Sequence, residues 1–473
     1  MKCSRIALSA VVVWVAAWGW PSPSTASAGP PNIVIILADD LGWNSVGYHN
    51  PKVHTPHLDQ LCKEGIELDQ FYVSPMCTPT RAGLLTGRYP IRFGLARAVI
   101  PPWRDFGLPT DEITLADALD GAGYENRGVF GKWHLGHQRK RWLPLQRGFT
   151  EFEGCLNGAI DYFELERDDA LDWHEGNQLS ESRGYSTRLI GQAAADFISR
   201  AAKDETPFLC YVPFNAPHSP FQAPEKELAM YADVKNEVKR TYYAMISVMD
   251  QEIGRILRAI DESGVRDETL VWFMSDNGGV RSIKGNNTPL HGAKLTTFEG
   301  GVRSVACVRY PGVYAAGRTL REPTAFIDVM PTLLPLANVD SHVRGRKKLD
   351  GVNLHPLLSG AVAEAPNRDL YFYHGQSGEQ QEPMAIISGQ WKLVVIGPRL
   401  SRQVSQDHEV MLYDLKRDPN ESNDVAEAHP DVVGALMGRL VEFRNLQPEN
   451  GVAVYREGRD DYVPPRDWHP KED

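Results

Sequence analysis

The chain has 473 residues, 42% of them hydrophobic and 23% charged, and a formal net charge of −11. That length buries one large core and a smaller one. The acidic balance excludes counterion-driven binding to nucleic acid, and an anionic substrate would need a local cluster of Lys, Arg and His set against the global field.

In chain order the first element is a leader. Lys2 and Arg5 precede an apolar run from Ile6 to Trp20, and Ala26-Ser27-Ala28 offers a small-residue cleavage site. Residues 1–28 are expected to be a signal peptide that sends the protein to the periplasm or outside the cell. The run is shorter than the ~20 residues of a spanning helix. No later segment is apolar enough to span, so no membrane span is expected after cleavage.

Four apolar runs then read as buried parallel strands: 32–38 (NIVIILA), 128–130, 208–212 (FLCYV) and 269–274 (TLVWFM). Helical patterns lie between them at 114–122, 188–202 and 237–262. This alternation predicts an α/β fold with a mostly parallel central sheet flanked by helices. Beyond residue 365 short runs at 391–395 and 411–415 read as antiparallel strands, followed by a helix at 430–445. Residues 29–365 are therefore expected to form a catalytic domain and 366–473 a small C-terminal α+β subdomain. The tail after Glu457 is expected to wrap the periphery.

Each predicted strand runs into polar residues: Asp39-Asp40, Gly131-Lys132-Trp133-His134, Asn215-Ala216-Pro217-His218 and Ser275-Asp276-Asn277-Gly278. Ligands of open parallel sheets bind beyond the carboxyl ends of the strands, so these four loops should converge. Any single Asp after a strand reads as a helix cap. Together Asp39, Asp40, Asp276 and Asn277 supply only oxygen ligands, the chemistry of Ca²⁺ or Mg²⁺ and not of zinc or copper. Lys294 stands in a polar loop ahead of Glu299-Gly300-Gly301-Val302-Arg303, and alone it reads as a surface lysine.

Apart from Cys3, the cysteines are Cys62, Cys77, Cys155, Cys210 and Cys307, an odd number with no zinc-site spacing. Cys62, Cys210 and Cys307 sit in apolar or helical surroundings and read as core. Cys77 differs, standing in the polar stretch SPMCTPTRAG, read as an exposed turn at the start of a short helix with Pro79 in its first turn. The helix dipole and Arg81 would favour an anion at position 77.

The run Cys77-Thr-Pro79-Thr-Arg81, continued by Ala-Gly-Leu-Leu-Thr-Gly-Arg88, resembles the type I sulfatase signature. Gly131-Lys-Trp-His-Leu-Gly136 resembles that family's second signature. Asp39-Asp40, the Ala-Pro-His218 loop, Ser-Asp276-Asn277-Gly and Lys294 stand in the family's order. The resemblance extends from about residue 31 to residue 450, and the segment from Gly131 to Phe163 is most similar to the arylsulfatase B branch, the N-acetylgalactosamine-4-sulfatases.

The resemblance implies an alkaline-phosphatase-like large domain. It also implies that a formylglycine-generating enzyme, acting on the unfolded chain, oxidises Cys77 to Cα-formylglycine. One hydroxyl of the hydrated aldehyde attacks sulfur; the other then loses its proton, and the C–O bond to sulfate breaks. By the same resemblance Asp39, Asp40, Asp276, Asn277 and the group at position 77 hold one Ca²⁺ rather than Mg²⁺. Lys132 and Lys294 neutralise sulfate oxygens, His218 or Lys294 protonates the leaving oxygen, His134 takes the second hydroxyl's proton, and Arg81 holds the group at position 77.

The implied activity is hydrolysis of sulfate esters, exo-acting on carbohydrate of the galactose or N-acetylgalactosamine 4-sulfate type. Next to the second signature lie His137, Arg139, Lys140, Arg141 and Trp142. Arg139 and Arg141 are expected to hold a uronate or second sulfate at the pocket mouth, and Trp142 to stack on a sugar. Three alternatives stand beside this reading. A related phosphatase or phosphodiesterase would need two metals where Lys132 and Lys294 stand. A non-catalytic sulfated-glycan binder would have lost Cys77, Lys132 or His134. A cysteine hydrolase would keep a free thiol at position 77.

Overall fold

The structure is a computed structural model and describes residues 29–340, 347–401 and 406–473. The signal-peptide expectation for residues 1–28 lies outside the described residues. Among the described residues no helix is long and apolar enough to cross a membrane.

The strand Asn32–Ala38 is the axis of the molecule. It pairs in parallel with Phe208–Pro213 on one side and with Thr269–Ser275 on the other. Its residues alternate between two cores: Ile33, Ile35 and Leu37 face one, Val34, Ile36 and Ala38 the other. A strand apolar on both faces is what a sheet covered on both sides demands. Each large apolar side chain so buried contributes about 1.5–3 kcal/mol.

From this axis the sheet grows to ten strands. Asn126–Phe130 and Glu151–Gly154 continue it in parallel beyond Phe208–Pro213. On the far side Ala306–Arg309 joins Thr269–Ser275 antiparallel, followed by Ile66–Leu68 and Arg318–Leu320. Helices Ser186–Ala201 and Glu237–Glu262 pack together over one face. Helix Cys77–Thr86 lies on the other, against Val329–Leu336.

The expected strands and helices are present, with end corrections that have local causes. The helix expected over 114–122 is shortened to Leu115–Asp120, because Thr114 is its N-cap, closed by a reciprocal bond with Asp117. The short strands at 66–68, 306–309 and 318–320 carry too little pattern to be read from sequence. The C-terminal region is an antiparallel sheet of four strands, Asp369–Tyr373, Glu382–Ser388, Trp391–Gly397 and Glu409–Asp414, with helix Pro430–Arg444 packed on it. One buried ion-pair cluster ties this sheet to the large domain: Lys392 Nζ lies 2.8 Å from Glu299 Oε1 and 2.8 Å from Glu421 Oε1.

Candidate active site

The four polar loops converge. Asp39 and Asp40 follow the strand Asn32–Ala38, and the Asp276 backbone N donates to Ala38 O at 3.0 Å, which fixes the two strand ends side by side. Asp40 adopts φ 68, a left-handed conformation that Asp tolerates. Asp39, Asp40, Asp276 and Asn277 are all buried.

Arg81 is the hub that joins them. Its Nε and Nη2 donate to Asp276 Oδ2 at 3.1 and 2.8 Å, its Nη1 donates to the Lys132 carbonyl at 2.8 Å, and Nη2 lies 3.4 Å from Asp39 Oδ2. A planar fork that spans three loops needs arginine; the point charge of lysine would not reach them all. Lys132 pairs with Asp39. Lys294 Nζ lies 2.6 Å from Asp40 Oδ1, and Asn277 Nδ2 donates to the same oxygen at 2.7 Å. His218 Nε2 faces Asp40 Oδ2 at 3.6 Å while its Nδ1 donates to Ser219 O at 2.6 Å.

Cys77 departs from the expected exposed turn. It is the first residue of helix Cys77–Thr86, every residue of which is buried, and only 2% of its surface is exposed. Burial follows from Ala82, Leu84 and Leu85, whose apolar side chains draw the helix into the core. Cys77 nevertheless forms the floor of a cavity of about 260 Å³ shared with His134, His218 and Lys294. Its Sγ lies 3.4 Å from His134 Nδ1. His134 Nε2 faces the Ile100 carbonyl at 3.0 Å, and a carbonyl only accepts, so Nε2 carries the proton and Nδ1 is the free acceptor. Burial, with Lys132 and Arg81 beside it, holds His134 well below the usual imidazole range. The ring is therefore a neutral base aimed at position 77. Burial pushes the Cys77 thiol up, against the pull of Lys132 and Lys294, so it stays protonated. Against its own burial, Asp39 is held below the usual carboxylate range by Lys132, His218, Arg81 and Lys294.

The oxygen set fits a cation. Asp39 Oδ1 and Asn277 Oδ1 are buried and have no hydrogen-bond donor, and two orphaned oxygens in one polar site call for a positive partner. Ligand atoms of Asp39, Asp40 and His218, and of Asp39, Cys77 and Asp276, lie within 4.8 Å of one another. Three carboxylates face three cationic side chains, Arg81, Lys132 and Lys294. A divalent ion added to that balance leaves the site positive, which resolves the conflict between an anionic substrate and an acidic chain.

The segment 137–142 does not join this cavity. Arg139 pairs with Asp105, its Nε donating to Oδ1 at 2.9 Å; Lys140 lies 3.4 Å from Glu472 and Arg141 3.5 Å from Asp473. Lys140 and Arg141 hold the acidic chain end, while Arg139 holds Asp105. Trp142 is buried, its ring filling the space beside Gly107 and Gly136 and its carbonyl accepting from Trp133 Nε1 at 2.8 Å. It is core and has no face for a sugar. The wrap expected after Glu457 is present, with Trp468 Nε1 bonded to Arg167 O at 2.8 Å.

The cavity also brings in residues that carried no signal in the sequence. Gly158 lies under the His134 ring, where a Cβ would meet Cε1 at 2.5 Å. Arg167, Gln376 and Tyr455 form the far wall. Glu299 and Arg303 stay outside the cavity: Glu299 pairs with Lys392, and Arg303 Nε donates to Asp69 O at 2.8 Å. They brace the loop that carries Lys294. Cys62, Cys155, Cys210 and Cys307 are buried free thiols.

Comparison with known proteins bears on the chain as a whole. A family model described as Sulfatase matches residues 31–339, and one described as N-sulphoglucosamine sulphohydrolase, C-terminal, matches residues 293–445. Arylsulfatase J of Mus musculus is 32% identical over 89% of this chain and 77% of that protein. N-acetylgalactosamine-6-sulfatase of Homo sapiens is 34% identical over 74% of this chain and 69% of its own length. The crystal structure of Ps i-CgsB in complex with k-i-k-neocarrahexaose superposes with a TM-score of 0.82 at 28% identity, covering 91% of this chain and 96% of that one.

Proposed function

The chain belongs to the sulfatase family and is a sulfuric ester hydrolase, and from that premise we propose that it works through a Cα-formylglycine at position 77, made from Cys77 by a formylglycine-generating enzyme before folding. The observation that carries this reading is the pairing of Cys77 Sγ with the acceptor nitrogen of His134 at 3.4 Å on the floor of the cavity. Because Cys77 is buried in the folded chain, a modifying enzyme must meet it unfolded. Export of the chain, to the periplasm or beyond, fits that order of events and the leader-like N-terminus.

The aldehyde hydrate supplies an oxygen nucleophile that can be regenerated, and a bound divalent cation, Ca²⁺ by the all-oxygen character of its main ligands, supplies Lewis acidity. Asp39, Asp40, Asp276 and Asn277 would hold the cation. The rest falls to this chain's own groups. Lys132 and Lys294 turn from their carboxylates toward the sulfate oxygens and stabilise charge there, each contributing on the order of 2–4 kcal/mol in a site closed to water. His134 Nδ1 takes a proton from the group at position 77 and keeps Nε2–H on Ile100 O as its orienting bond. Lys294 and His218, both on the cavity, are the groups placed to give a proton to the departing sugar oxygen. Arg81 keeps Asp276 and the Lys132 loop in register.

The substrate is a sulfated carbohydrate, and the finer reading is an exo-acting enzyme on a galactose or N-acetylgalactosamine 4-sulfate. The pocket is small, about 260 Å³, and is lined by Ile100–Pro102 and Tyr455 as well as the reactive groups, which supports attack on a terminal sugar. The name N-acetylgalactosamine-6-sulfatase among the relatives supports the sugar while leaving position 6 as the competitor. Sulfate release from N-acetylgalactosamine 4-sulfate and 6-sulfate, and from a 4-sulfated polymer blocked at its non-reducing end, tests both points. Turnover of the blocked polymer at the rate of the free one contradicts the exo reading. Phosphate release exceeding sulfate release would restore the phosphatase alternative.

A further inference from the structure

The cavity above Cys77 has a reactive floor and a wall with no part in the reaction. That wall contains Arg167, Gln376 and Tyr455, which come from three distant parts of the chain. Arg167 ends the strand Glu166–Arg167, which pairs with Ala170–Leu171 across the turn Asp168-Asp169. Both turn residues have positive φ, 53 and 61, the two-residue geometry whose twist matches a hairpin. This fixes the direction in which Arg167 leaves the backbone.

The hairpin is held from outside as well. Trp468 Nε1 donates to Arg167 O at 2.8 Å, and Tyr462 Oη donates to Asp168 Oδ2 at 2.8 Å. The guanidinium itself is only partly engaged. Nη1 reaches Ala159 O at 3.5 Å, and Nε, 3.2 Å from Asp168 Oδ1 but outside hydrogen-bond geometry, is buried with no hydrogen-bond partner among the described residues. Ala159 follows Gly158, which packs beneath His134. The cationic fork is therefore carried on the wall that begins at the reaction centre, in a cavity that Gln376 and Tyr455 also line. Gln376 Oε1 is likewise buried without a partner.

We propose that Arg167 is the specificity residue of this enzyme, binding a second anionic group, a carboxylate or a second sulfate, on the sugar that carries or adjoins the scissile sulfate. A guanidinium fork with free donors matches both anions, since each presents paired oxygens. This assigns to Arg167 the recognition role that Arg139 and Arg141 do not fill, and it rests on the sulfatase reading of the same site.

The test compares kcat/KM for N-acetylgalactosamine 4-sulfate, N-acetylgalactosamine 4,6-disulfate and a 4-sulfated disaccharide bearing a uronate, with 4-nitrophenyl sulfate as the common reference. Wild-type enzyme is expected to prefer at least one doubly anionic substrate over the singly anionic sugar. Arg167→Ala is expected to lower that preference ratio about 10–100-fold, mainly through KM, and Arg167→Lys to recover part of it. Loss confined to the disaccharide identifies the carboxylate as the partner, and loss confined to the disulfate identifies the second sulfate. The wild-type preference should also weaken as salt rises. Because the backbone bond to Trp468 does not depend on the side chain, a melting curve like that of wild type should accompany Arg167→Ala; Arg167→Gln, which keeps a donor and loses the charge, serves as the second variant. An unchanged preference ratio in both variants overturns this proposal alone. A wild-type enzyme that releases no sulfate from any of the four compounds overturns the sulfatase reading and this proposal with it.

Discussion

Lys392→Met is expected to cost about 3–5 kcal/mol of stability above neutral pH and far less in acid. Lys392 is fully buried and sits 2.8 Å from each of two carboxylates, Glu299 Oε1 and Glu421 Oε1. Glu421 also accepts from the Glu299 backbone N at 2.7 Å, and Tyr72 Oη donates to Glu299 Oε2 at 3.0 Å. Methionine replaces most of the lysine stem, so packing changes little and the lost ammonium dominates. Burial already pushes Glu421 up to about 7 from an ordinary 4.5, with Lys392 opposing the rise and Glu299 adding to it. Without Lys392 the value goes higher. In acid below the ordinary value Glu421 is protonated in both folded and unfolded chains, and the variant's penalty is small. As pH rises the unfolded carboxylate ionises first, and stability falls until the folded one ionises too. Thermal unfolding followed by circular dichroism at about pH 4 and about pH 8, for wild type, Lys392→Met and the double variant with Glu421→Gln, reads this directly. The single variant should be far weaker at the higher pH, and the double should recover most of the loss. A loss equal at both pH values, or below about 1 kcal/mol at the higher one, refutes the electrostatic account of this cluster.

Gly158→Ala places a methyl 2.5 Å from His134 Cε1 and 2.6 Å from Nε2, so sulfate release should fall at least about 10-fold in kcat while the melting temperature moves little. Asp250 is buried on helix Glu237–Glu262 and accepts from Leu58 N at 2.8 Å and His57 N at 3.2 Å; burial pushes it up to about 7. Wild-type stability should therefore fall as pH rises from the ordinary carboxylate value through about 7, and Asp250→Asn, which keeps an acceptor, should flatten that slope in thermal melts and gain stability above neutral. Dialysis against a chelator should abolish sulfate release and lower the melting temperature, and Ca²⁺ should restore both, because Asp39 Oδ1 and Asn277 Oδ1 lose their partner.

Sequence pattern carried the centre of the molecule further than its edges. The run 32–38 is apolar on both faces, and that alone places it mid-sheet with Asp39-Asp40 at its carboxyl end. The convergence of Lys132, His134, His218 and Asp276 followed from strand ends without any knowledge of side-chain geometry. The exposure of Cys77 was misread because the polar letters of SPMCTPTRAG describe hydrogen bonding, such as Thr78 Oγ1 to His134 O at 3.2 Å, and not contact with water. Arg139 and Arg141 were misplaced because a cationic run has no direction until its acidic partners, here Asp105 and Asp473, are known. Arg167, Gln376 and Tyr455 meet only through long-range packing, and no local spacing marks them.

The central claim is that position 77 is an aldehyde in the working enzyme. Mass spectrometry of the tryptic peptide running from Glu64 to Arg81, taken from preparations of graded specific activity, measures it. The account predicts that sulfate release scales with the fraction of peptide showing the thiol-to-aldehyde mass loss and vanishes where only cysteine is found. Full activity in a preparation whose peptide carries unmodified Cys77 would contradict it.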